Sequence, residues 1–126
     1  MDLIKNFDKY DSFYSINRII KDSRESMLLT ASGFIKSDNI WYNKKYNIKF
    51  SEKSNHYVLY ETFVLEQYNT DVEGEVVDIR ANVGDSSLYF TAKGASHVYA
   101  FDPLPLAYAV ALENVKLNHL ENKITL

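Results

Sequence analysis

The chain has 126 residues, 46% of them apolar and 25% charged, a balance that supports one small domain with a core of its own. A formal net charge of -3 argues against a general nucleic-acid footprint or a polybasic membrane face. The absence of cysteine excludes disulfides and thiolate metal sites and fits a cytoplasmic protein. No apolar run approaches the roughly 20 residues that span a bilayer, and Met1 to Asp8 carry acids where a signal peptide would not.

The chain divides into two regions. Residues 1–70 are tyrosine-rich and irregular, an amino-terminal extension of mixed helix and hairpin. Residues 71–126 alternate strand and helix patterns. Leu3, Ile4, Phe7, Tyr10, Tyr14 and Ile20 recur at helical spacing, which predicts one or two amphipathic helices across residues 2–30. Ser32 and Gly33 then punctuate the chain. Ile40 to Tyr42 and Tyr46 to Phe50 flank Asn43-Lys44-Lys45, a pattern for a small hairpin. Ser54 or Asn55 is placed to cap a helix running from His56 to Tyr68.

Glu75 to Ile79 is a short apolar run before a turn, as expected of a buried parallel strand. Ala81 to Asp85 form the turn. Ser86 to Lys93 follow as a helix, with Asp85 or Ser86 as cap and Gly94 as stop. His97 to Asp102 is the next strand, ended by Pro103. Pro105 suits the first turn of a helix, where its missing N–H is not needed, and Leu106 to Asn118 continue it. Ile124 begins a third strand. The order β-α-β-α-β with short links predicts an α/β fold, a partial Rossmann-like parallel sheet with right-handed crossovers.

Two acids stand where chemistry would be expected. Asp78 ends the first strand before a small-residue turn that leads into a helix, an arrangement that brings backbone N–H groups close to a ligand. Asp102 ends the second strand about twenty residues later, the position from which a carboxylate binds ribose hydroxyls in nucleotide-binding folds. The turn has Gly84 as its one glycine, so it does not match the dinucleotide fingerprint.

Val76-Val77-Asp78-Ile79-Arg80-Ala81-Asn82-Val83-Gly84-Asp85-Ser86-Ser87 resembles motif I of the FkbM-type class I methyltransferases, which use S-adenosyl-L-methionine (SAM). Tyr99 to Pro103 and Glu113 to Asn118 extend the resemblance in order and spacing, over roughly residues 56–126. It implies that Asp78, Ala81, Asn82 and Gly84 line the methionine side of SAM and that Asp102 holds its ribose. It also implies methyl transfer to a hydroxyl oxygen of a sugar or small molecule.

Arg80 stands where that motif carries glycine. Its side chain is expected either to crowd the cofactor, with its charge opposing the sulfonium, or to swing out to solvent on its long stem. The resemblance further implies that strands and substrate-side residues beyond Leu126 would complete the fold, so the chain reads as truncated and no catalytic base is assigned. The alternative is an inactive methyltransferase-like fragment, serving as an interaction module or persisting as a relic. The first parallel strand would then expose an open edge, which self-association, a second polypeptide or the amino-terminal region is expected to cover. His56, His97 and His119 lack metal-ligand spacing and read as ordinary surface or turn residues. Lys44, Lys45 and their aromatic neighbours read as a solvated face rather than a nucleic-acid surface.

Overall fold

The computed structural model describes residues 23–126. The helix expected across residues 2–30 is seen from residue 23, as α1 over residues 23–31; its earlier part lies outside the described residues. A three-stranded antiparallel sheet follows: β1 (Phe34–Ser37), β2 (Ile40–Asn43) and β3 (Ile48–Ser51), in the order β1-β2-β3. The expected hairpin is β2 and β3, with Trp41 opposite Phe50. β1 is an addition to it. Three of its four residues are exposed, so the strand is set by pairing with β2 and leaves no local alternation to read.

Asn55 caps the next helix, its side-chain oxygen accepting from the N–H groups of Tyr57 and Val58. Helix α2 (His56–Leu59) then widens into a π turn over Tyr60–Val64. The helix expected to reach Tyr68 therefore stops at Val64. Glu66 adopts a positive φ of 48° and accepts from the Tyr46 hydroxyl and from Lys45, which draws the chain off the helical path.

The second sheet is parallel, with β4 (Glu75–Ile79), β5 (His97–Phe101) and β6 (Ile124–Thr125) in the order β4-β5-β6. Helices α3 (Asp85–Ala92) and α4 (Pro105–Leu117) make the crossovers, Pro105 occupying the first turn of α4. This is the α/β, partial Rossmann-like arrangement expected. α3 packs on β4 and β5, while α4 packs on β3 of the hairpin sheet. Phe34, Trp41, Ile48 and Phe50 share one continuous core with Leu88, Tyr89, Val98, Val115 and Ile124.

The strand faces differ sharply. Asp78, Val98, Ala100 and Ile124 point inward and are buried. Val77, Ile79, Tyr99 and Phe101 point the other way and remain 64%, 69%, 37% and 55% exposed. Parallel sheets normally bury both faces. Here, among the described residues, one face is bare and β4 pairs on one side only. No helix of the described residues is long and apolar enough to cross a membrane.

Gly94 ends α3 at a φ of 113°, and a Cβ there would sit 2.7 Å from the Val72 carbonyl oxygen. The Lys93 carbonyl, one residue earlier, accepts from the Val72 N–H, so the backbone cannot withdraw freely. Gly94→Ala is expected to lower stability by about 2 kcal/mol, read from the midpoint of a urea titration.

Candidate cofactor site at the strand ends

Ile79 is followed by three residues in the left-handed region at alternate positions: Arg80 at φ 62°, Asn82 at 50° and Gly84 at 82°. The turn therefore curls at the carboxyl ends of the strands, where ligands bind in open α/β sheets. Gly84 meets this requirement without steric strain, and asparagine tolerates it; an arginine does so with strain. The backbone at residue 80 thus has the conformation glycine would adopt, in keeping with the motif that Arg80 interrupts.

The turn is tied to the second strand by short bonds. The Ala81 N–H donates to the Phe101 carbonyl at 3.0 Å. The Asn82 N–H donates to Asp102 Oδ2 at 2.9 Å, and the Leu104 N–H donates to Asp102 Oδ1 at 2.9 Å. Each carboxylate oxygen of Asp102 carries a second lone pair. Asp102 is half-buried and borders a cleft of about 410 Å³ with Ile79, Arg80, Phe101 and Pro103. Arg80 is exposed, and no hydrogen bond or ion pair engages its guanidinium among the described residues.

Asp78 lies beneath the turn, 8% exposed. Its Oδ2 accepts from the Ser86 hydroxyl at 2.7 Å and from the Ser87 hydroxyl at 2.6 Å. Ala81 and Gly84 are buried as well. The five residues singled out from the sequence are therefore neighbours in space, but they stand at two depths. Asp102 borders the cleft, while Asp78, Ala81 and Gly84 are buried and are not among the residues that line it; the Asn82 N–H ties the turn to Asp102.

Two features were not legible beforehand. The expected cap, Asp85 or Ser86, is not used as such: Gly84 occupies the cap position, and Asp85 is the first helical residue. Asp85 is 3% exposed and accepts from the Thr62 hydroxyl at 2.6 Å. Burial raises its pKa from 3.8 to about 7; the Thr62 bond opposes that rise, and the nearby Asp78 charge adds to it. Tyr68 borders the same pair, and its pKa is raised by burial and then by the charges of Asp85 and Asp78. The π turn of α2 delivers Thr62 to this point, so the amino-terminal region reaches the base of the turn.

The second feature is Asn114. It is fully buried in α4 and uses every hydrogen-bonding hydrogen and an acceptor: Oδ1 accepts from the Ser51 N–H at 2.7 Å, and Nδ2 donates to Ser54 Oγ at 2.9 Å and to the Val83 carbonyl at 2.8 Å. Asn118, one turn on, clasps Lys49 through both its N–H and its carbonyl. The available signal was a pair of asparagines, poor helix formers, four apart in an alanine- and leucine-rich helix.

No family model matches the chain. It is 42% identical over 50 residues to the ribosomal protein L11 methyltransferase of Carboxydothermus hydrogenoformans, a match covering 40% of this chain and 16% of that protein. Among solved structures it is similar to the "putative transferase PH0793" of Pyrococcus horikoshii, with a TM-score of 0.52, 22% identity, and coverage of 71% of this chain and 36% of that one. The chain thus spans about a sixth of the curated relative and about a third of the solved one. The chain is similar to a methyltransferase over part of its sequence, and it shares the fold of that "putative transferase".

Proposed function

We propose that the chain is the cofactor-binding part of a SAM-dependent methyltransferase of FkbM type, acting on a hydroxyl oxygen of a sugar or small molecule. The observation that carries the reading is Asp102. Two backbone N–H groups fix its carboxylate at the mouth of the cleft, and the remaining lone pairs suit the two hydroxyls of a ribose. Ile79, Phe101 and Pro103 supply apolar surface for an adenine ring. Asp78, held by two serines below the turn, offers negative charge toward a methionine amine, and Ala81, Asn82 and Gly84 shape the backbone between the two acids. When bound, SAM supplies an electrophilic methyl group. The sequence motifs through Ser87, Pro103 and Asn118 support the FkbM assignment.

Calorimetric titration tests the reading. The protein is expected to bind SAM and S-adenosylhomocysteine. Asp102→Ala is expected to weaken both by about a hundredfold, as loss of two charge-assisted hydrogen bonds implies. A folded protein that binds neither compound would remove the cofactor assignment.

A further inference from the structure

We infer that Asn114 is a positioning residue for the cofactor turn, setting the place of Val83 and Gly84 relative to the strand ends; the inference rests on the SAM reading above. The two asparagines of α4 make the contrast that carries it. Both hold strand β3: Asn118 at Lys49 and Asn114 at Ser51. Only Asn114 also reaches the turn, through the Val83 carbonyl, 31 residues away in sequence.

Contact at the next residue reinforces the tie. A Cβ on Gly84 would lie 3.4 Å from both Cα and Cβ of Ala111, which is on the same buried face of α4 as Asn114. The helix thus presses the turn at Gly84 and holds it at Val83. Both Nδ2 hydrogens are engaged, and Oδ1 accepts from Ser51, so the amide is held from three sides in a buried setting. Ser54 extends the link: it bonds Asn114 and its N–H donates to the Ser51 carbonyl. The hairpin, α4 and the cofactor turn are therefore positioned as one unit, and the hairpin of the amino-terminal region contributes to cofactor affinity without touching the cleft.

Asn114→Asp tests this. The carboxylate keeps the acceptor for the Ser51 N–H but has no hydrogen for Val83 and turns a negative charge on its carbonyl. Asn118→Ala is the control, removing a staple of β3 and leaving the turn contact intact. Two readouts are compared on the full chain: amide hydrogen exchange at Asn82 and Gly84 by NMR, and SAM affinity by calorimetry at temperatures where both variants are folded. Asn114→Asp is expected to speed exchange in the turn and to weaken SAM by about tenfold each, and Asn118→Ala to change either by less than about twofold. Equal effects of the two variants, or an unaltered turn in Asn114→Asp, would overturn the positioning role. Should Asn114→Asp fail to fold, Ser54→Ala slackens the same amide without adding charge and is expected to show the same pattern at about threefold. If the unaltered protein binds no SAM, the cofactor reading fails, and the exchange comparison alone decides whether Asn114 sets the turn.

Discussion

Arg80→Gly is expected to tighten SAM binding by about tenfold while changing S-adenosylhomocysteine binding much less. The charge of an exposed arginine at the cleft, discounted for screening, opposes a sulfonium by about 1 kcal/mol, and removing a long side chain from the lining gives the cofactor more room. The homocysteine product carries a neutral thioether, so it does not feel the charge. Stability is expected to rise too, by about 0.5–1 kcal/mol: relief of the left-handed strain at φ 62° exceeds the extra chain entropy of glycine in the unfolded state. Arg80→Lys keeps both charge and strain and is expected to show neither gain. Calorimetry with the two compounds and a urea titration read these effects together. Equal gains for SAM and for the product would refute a charge effect and leave only bulk.

The second large effect is a pH dependence at Asp85. Its proton is held more tightly in the folded chain, at a pKa of about 7, than at the ordinary value of 3.8. The stabilisation is therefore complete below about pH 4 and is lost as pH rises to about 7, above which it is constant. Over that interval the change is at most roughly 4 kcal/mol, from about three pKa units at 1.36 kcal/mol each. Asp85→Asn removes the titration and still accepts the Thr62 hydroxyl. The variant is expected to be more stable than the unaltered protein near pH 7 and above, and the gain is expected to shrink as pH falls toward 4. Denaturant titrations of both proteins at several pH values give the difference directly, with the contribution of all other carboxylates cancelling. A difference that stays flat with pH would place the proton elsewhere.

The parts of the fold that could be read in advance are those written locally. The run from Val76 to Ile79, the glycine at 84 and the prolines at 103 and 105 each constrain only their neighbours, and the parallel order follows from them. β1 was missed because Ile35, Lys36 and Ser37 are exposed and owe their conformation to β2. The early end of α2 was missed because it depends on Glu66 meeting Tyr46 and Lys45, some twenty residues back. At the candidate site, Asp78 and Asp102 were legible because acids at strand ends have a positional meaning. Asp85 was not: a carboxylate at a helix start reads as a cap, and only Thr62, 23 residues earlier, reveals that it is enclosed. The partners of Asn114 lie 31, 60 and 63 residues away, beyond any periodic pattern.

Asn118 has one more consequence. Its amide takes the Lys49 N–H and carbonyl together, as a residue on an adjoining strand would. At that register β3 has no peptide group left to template another molecule. The side chain thus stands in for a neighbouring strand and closes that point of the sheet edge to pairing.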